Sequence, residues 1–284
     1  MTLPQSFFTW RILSPLQLSS YPPLRKQMQL AIQLVAAVGR IDPAGQFPSQ
    51  LTREAHFNGL AGQWIRGKTI FRSLISFRDF SLYLVDENVN TLGNFPLLGK
   101  SFKQALVWLE EQIIRQKLSS AQLKLDLSYD FPFSVSEMSS PILEVSLAET
   151  EALGVYYEDV EFLLSKLTAP IGHFSEILVQ PSTMEMYRDL ILKETGERET
   201  DTMLTFGLSP GDSEYPLPYL FVKTRPHIMK MDRLLPLSQG HWHTGDWTGA
   251  VLPCSKLWGQ QSQQQLANSF MEESLERLAS RLLE

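Results

Sequence analysis

The chain has 284 residues, 43% hydrophobic and 20% charged, with a net charge of −6 and a pI near 5.5. That composition excludes wholesale disorder, and a chain of this length buries a substantial core without disulfide or metal staples. Acidic and basic residues are mixed with no concentrated basic face, which argues against nucleic acid as a partner, and the single cysteine, Cys254, excludes an intramolecular disulfide and a cysteine-rich zinc module.

The opening stretch MTLPQSFFTWRILSPLQLSS has no basic start followed by a compact apolar run, so no signal peptide is expected. The most apolar stretch, LAIQLVAAVG, is short and interrupted by Gln33, so no membrane span is expected either. Together with the lone cysteine, these features point to a cytoplasmic protein.

The first clear element is PPLRKQMQLAIQLVAAVGR. Pro22 or Pro23 suits a first helical turn, Leu24, Met28, Ile32, Val35 and Val38 form a helical stripe, and Gly39 offers a stop. A loop is expected from Asp42 to about Gly59. The segments KTIFRSLISF and FSLYLVD, joined by Arg78-Asp79, have the β-branched and aromatic content of an antiparallel hairpin. SFKQALVWLEEQIIRQKL reads as a second helix, with capping-box spacing of Ser101 and Gln104 and a buried face of Phe102, Ala105, Leu106, Leu109, Ile113 and Ile114.

AQLKLDLSYD alternates Leu123, Leu125 and Leu127, the pattern of a half-buried strand, and the Ser/Pro-bearing stretch from Phe131 to Pro141 marks a linker or boundary. LAETEALGVYYEDVEFLLSKL then reads as a helix despite Gly154, HFSEILVQ as a strand, and MEMYRDLILKET as a short helix. DTMLTFGL and PLPYLFVKT read as strands separated by the turn-rich SPGDSEY. GHWHTGDWTGAVLP is expected to be a hairpin turning at Thr244-Gly245-Asp246. A final amphipathic helix from about Ser262 to Leu283 turns Leu266, Phe270, Leu275, Leu278 and Leu282 to one side, for docking on its own sheet.

Strand runs with helices beside them predict an α+β class with antiparallel sheets flanked by helices, since βαβ alternation is missing. The order helix, strands, helix occurs on both sides of the Ser/Pro stretch, which divides the chain into N-terminal 1–130 and C-terminal 131–284 halves, separate or continuous in one domain.

GQWIRGKT satisfies the phosphate-loop pattern G-x-x-x-x-G-K-[ST] with Gly62, Gly67, Lys68 and Thr69. The physics of that loop requires a buried strand before it and a helix N-terminus after it. Here LTREAHFNGLAG precedes and the strand-like TIFRSLISF follows, and Trp64 and Ile65 are bulky for a turn around phosphates. The match reads as coincidence within a β-hairpin, with Trp64 packing and Lys68 solvated, and no nucleotide is expected.

The chemically richest stretch is GHWHTGDW. Residues i and i+2 of a strand share a face, so His241 and His243 could converge on one ligand, with Trp242 opposite. A metal site would need a third ligand from Asp246, His227, Glu214 or Cys254, and no familiar spacing supplies one, so neither a metal nor another cofactor is favoured. Tyr215, Tyr219, Trp242, Trp247 and Trp258 crowd the same region, where single rings fill core and several around one cleft would stack on a ligand. An H-E-x-x-H motif is absent from the sequence, no G-x-S-x-G stretch reads as a strand-to-helix nucleophile elbow, and Cys254 after Pro253 reads as an inert buried thiol.

GLSPGDSEYPLPYLFVKTRP followed by LLPLSQGHWHTGDWTGAVLPCSKL resembles a bacterial family of unknown function. That family shows a Gly-Phe-Trp-Pro-Gly turn, a Pro-rich aromatic strand and a last helix. Gly207, Pro210, Gly211, Pro216, Pro218, Tyr219 and Pro253 are the matching positions, and His173-Phe174 and the early helix followed by Trp64 are similar in layout. The departures are GQWIRG in place of a paired tryptophan strand and SEILVQ after His173-Phe174. The resemblance implies a bacterial source and a shared α+β fold, and carries no catalytic residue.

These observations lead to three expectations. The first is binding of a small molecule in a polar-aromatic cleft near the C-terminal hairpin, using His241, His243, Trp242, Trp247, Asp246 and Tyr219. The second is a metal-dependent hydrolase using His241 and His243. The third is a non-catalytic interaction or oligomeric protein.

Overall fold

The computed structural model describes residues 10–41, 50–123, 125, 138–140, 142, 145–196, 200–228, 231 and 234–283. Helix α1 (Tyr21–Gly39) is followed by β1 (Thr52–Glu54), β2 (Gly59–Ala61), β3 (Ile65–Arg66), β4 (Ile70–Ser76), β5 (Ser81–Asp86), β6 (Thr91–Pro96) and α2 (Phe102–Arg115). After α3 (Leu147–Lys166) come β7 (His173–Phe174), β8 (Leu178–Val179), β9 (Met186–Lys193), β10 (Thr202–Ser209), β11 (Tyr219–Arg225), β12 (His241–His243), β13 (Gly249–Pro253) and α4 (Gln263–Leu283). The fold is α+β, with two antiparallel sheets of six and seven strands and helices packed on them.

The first sheet runs β1-β2-β4-β5-β6, with β3 also on β4, and the second runs β12-β13-β11-β10-β9-β7, with β8 also on β9. They meet where Leu51 and Val179 exchange backbone hydrogen bonds of 3.1 and 2.8 Å. Helix α1 packs on β4 and α2, α3 on β9 and β10, and α4 on β10, β11 and β13. One buried cluster draws on both sheets and all four helices. Helix α1 is its axis: every residue from Leu30 to Gly39 is buried, as expected of a helix apolar nearly all round. Among the described residues no helix is long and apolar enough to cross a membrane.

The capping box at Ser101 and Gln104 forms as the spacing predicts, and fixes the start of α2. Its buried face includes Phe102, Ala105, Leu109 and Ile113, with Leu106 half-buried, but Ile114 points to solvent because α2 covers the sheet from one side only. Gly154 inside α3 has a packing reason: a Cβ there would stand 2.3 Å from the Asn58 side chain, which reaches the helix backbone at Glu151 O. On α4 the apolar side is centred on Ala267, Phe270, Met271 and Leu278, with Leu266, Leu275 and Leu282 flanking it half-buried.

Four expectations differ from the structure. β1 occupies part of the expected loop and β2 begins at its end, at Gly59, and β6 is an additional edge strand whose Gly93, Asn94 and Pro96 hide its strand character. HFSEILVQ forms two short strands, β7 and β8, both paired with β9. MEMYRDLILKET is mostly strand β9, not helix. Met186 and Leu190 are compatible with either period, and Arg188 between them masks the alternation. Its guanidinium lies over Phe174 and donates to Leu164 O near the C-terminal end of α3, so a charge is accommodated between two core residues. Of the expected strand at 121–130 only 121–123 and 125 are described, and its first two residues belong to a short 3-10 helix (Ser120–Gln122), while of the boundary at Phe131–Pro141 only 138–140 are described.

Candidate functional site

The second sheet buries one face under α3 and α4. Register places Tyr219, Phe221 and Lys223 of β11 on the other face, with Val251 beside Phe221 and His241 beside Val251. Phe221 also lies opposite Gly207 of β10, where a Cβ would stand 2.5 Å from the phenyl ring, so only glycine lets this ring lie flat on the sheet. Tyr219, Phe221 and Val251 form a separate small buried cluster against which Tyr187, Tyr215 and Trp247 pack.

The two histidines share a face and a partner. Tyr215 Oη lies 3.2 Å from His241 Nε2 and 3.1 Å from His243 Nδ1. A phenol can donate one hydrogen bond and accept others, so one ring can offer a lone pair while the other presents an N–H. His243 is 3% exposed and stacks on Trp247 with ring centroids 4.1 Å apart. Its Nδ1 is 3.6 Å from Glu214 Oε1, and its Nε2 is buried without a partner among the described residues. Desolvation lowers the pKa of His241, neighbouring His243 lowers it further, and Glu214 opposes them, so His241 favours its neutral imidazole. Among the described residues no group of three or more His, Cys, Asp or Glu is placed to hold a metal ion.

Beside this cluster a cleft of about 470 Å³ opens between α1 and the second sheet. Tyr219, Lys223 and Trp247 form its sheet-side wall, Arg25, Gln29 and Gln33 its helical wall, and Ser182, Thr183, Met184 and Glu185 its rim. Ser209, Gly211 and Asp212 complete it. Lys223 Nζ lies over the Phe221 and Trp247 rings and pairs with both carboxylate oxygens of Glu185, at 2.7 and 2.9 Å. Asp212 accepts from Tyr219 Oη at 2.6 Å and from the backbone N–H groups of Glu214 and Tyr215. Burial and this bond to Asp212 raise the Tyr219 pKa, keeping the phenol protonated.

The rim is held under strain. Met184 has φ of 62°, a left-handed conformation unfavourable for a bulky side chain. Its carbonyl accepts from Tyr157 Oη of α3 at 2.6 Å. Gln33 Nε2 of α1 donates to Pro181 O at 2.8 Å, and Gln29 Nε2 donates to Ser182 O. Arg25 holds the opposite loop through Asp212 O and Pro216 O. Gln33 is 2% exposed, and its Oε1 has no partner among the described residues.

Of the six binding residues expected from sequence, Tyr219 and Trp247 line the cleft, while His241 and His243 join it through Tyr215 and Trp247. Trp242 lies on the opposite face, packed against the main core with Nε1 donating to Leu235 O. Asp246 sits in the exposed hairpin turn, its carbonyl 3.2 Å from His227 Nε2. Sequence reasoning missed the helical wall, although Arg25, Gln29 and Gln33, spaced by four along α1, are a legible polar stripe. Gly67, Lys68 and Thr69 form the turn of the β3–β4 hairpin, tied to Gln116 by Lys68 N and Thr69, with strand and not helix after it. Trp64 is 40% exposed under the Arg72 guanidinium.

Comparison with known proteins finds no matching family model, no matching curated protein and no matching solved structure.

Proposed function

We propose that the protein binds a small polar molecule in the cleft between α1 and the second sheet. The observation that carries this reading is the buried, unpartnered Gln33 Oε1 on the wall of a cleft whose rim is strained at Met184. An orphan buried acceptor costs stability unless something donates to it, and backbone strain persists only where surrounding contacts enforce it. Here three side chains from two helices enforce it. The size also suits a small ligand, for which clefts of about 300–1,000 Å³ are typical.

The test is a thermal-shift screen of polar metabolites against wild type and Thr183→Trp. Thr183 is exposed on the rim, so the indole fills the cleft without entering the core. A ligand that stabilises wild type and loses its effect in this variant supports the reading. Ligands that stabilise both proteins equally would place binding elsewhere.

A further inference from the structure

We infer that the ligand is an uncharged polyhydroxylated molecule of mono- or disaccharide size, an inference that rests on the cleft being the binding site. Charge is the first discriminator. Four charged side chains line the cleft, two of each sign, and each already has a hydrogen-bond partner within the protein. Lys223 is paired with Glu185, while Asp212 accepts three hydrogen bonds beside Arg25, which binds the carbonyl of that same residue. A phosphate or carboxylate would have to break the Lys223–Glu185 pair or approach Asp212, and an ammonium would face Lys223 and Arg25.

The second discriminator is what remains to be satisfied. Gln33 Oε1 is a buried acceptor without a donor among the described residues. Ser182 Oγ accepts from Gln180 Nε2 at 3.2 Å, and Thr183 Oγ1 accepts from Glu185 N at 3.3 Å. Neither hydroxyl has an acceptor for its own hydrogen among the described residues. The cleft therefore presents at least one acceptor and two donors, and an alcohol both donates and accepts from each oxygen. Neighbouring hydroxyls on one ring answer both needs without bringing charge.

The third discriminator is aromatic access. Trp247 is stacked with His243 and has the Lys223 ammonium over its ring, and Tyr219 is paired with Tyr215 at 4.9 Å. A planar heterocycle would have to displace a stacking contact the protein already makes, whereas a sugar can bind through its hydroxyl edge.

The experiment is calorimetric titration of the intact chain with glucose, galactose, mannose, N-acetylglucosamine, myo-inositol and trehalose. Glucose 6-phosphate, glucuronate, glucosamine and adenosine provide the charged and planar comparisons. The expected result is saturable binding of at least one neutral polyol. The charged derivatives bind at least about tenfold more weakly, and Ser182→Ala and Thr183→Ala each weaken binding about tenfold with unchanged circular dichroism, one hydrogen bond each. Both serine and threonine lie on the partly open rim, so these variants test the site without a folding risk at buried Gln33.

Binding of the charged or planar probes in place of the neutral ones, with the effect lost in Thr183→Trp, overturns the ligand class and leaves the cleft reading standing. A neutral polyol whose affinity is unmoved by Ser182→Ala, Thr183→Ala and Thr183→Trp overturns the site. No neutral probe binding more tightly than about 1 mM overturns the class as well.

Discussion

Lys223 and Glu185 lock together across the cleft, the ammonium lying 2.7 Å from one carboxylate oxygen and 2.9 Å from the other. The pair ties the middle of β11 to the rim before β9, and holds the ammonium over the Phe221 and Trp247 rings.

Removing one partner leaves the other charge partly buried and unmatched. Lys223→Met and Glu185→Gln are each expected to cost about 1–3 kcal/mol, with the double variant less destabilised than the sum of the two. Urea unfolding of the four proteins in the cycle measures this. Strictly additive losses would show that the pair contributes no coupling.

Tyr157→Phe removes the hydroxyl that holds the strained Met184 turn and leaves that carbonyl buried without its donor. A loss of about 1–2 kcal/mol is expected, again by urea unfolding. Amide exchange should also quicken at residues 182–185 more than in β10 and β11, and uniform quickening would count against a local role for the bond.

Asp159 sits buried in α3, with Oδ1 accepting from Arg11 N at 3.0 Å and Oδ2 without a partner among the described residues. Burial pushes its pKa up to about 7, the Arg11 N–H opposes that, and Glu158 adds to it. A carboxyl whose pKa is raised by folding holds its proton while the unfolded chain ionises. Its contribution to stability therefore falls as pH rises from about 4 to about 7 and levels off above. Asp159→Asn keeps the acceptor for Arg11 and removes the ionisation. The stability difference between variant and wild type should shift in favour of the variant between pH 5 and pH 8. Parallel pH curves for the two proteins would refute the assignment.

Cys254 is fully buried, and desolvation raises its thiol pKa well above the ordinary range. Maleimide should leave the native protein unlabelled for hours and label it rapidly in denaturant. Rapid labelling of the folded protein at neutral pH would show that the thiol is accessible.

The helices were legible because each carries a local signal. α1 has its prolines at the start and an apolar stripe, α2 its capping box, and α4 an apolar side at helical spacing. The hairpin bearing His241 and His243 was legible from composition and spacing, as was the separation of Trp242 from the histidines by alternation. β9 was not legible, because the carbonyl acceptors that receive Arg188 come from α3 and from Ser175, distant along the chain or across a turn.

The sequence by itself determined the α+β class, the apolar stripe of α1 and the face shared by the two histidines, since periodicity and turn chemistry act over a few residues. Only the tertiary structure decided where the cleft lies. Gln33 and Pro181 are 148 residues apart and Tyr157 and Met184 are 27 apart, and their hydrogen bonds exist only once α1 and α3 have packed against the second sheet. The polar stripe of Arg25, Gln29 and Gln33 was present in the letters throughout. Its meaning depended on which backbone carbonyls the folded core would bring within reach, and a linear pattern holds no record of that distance.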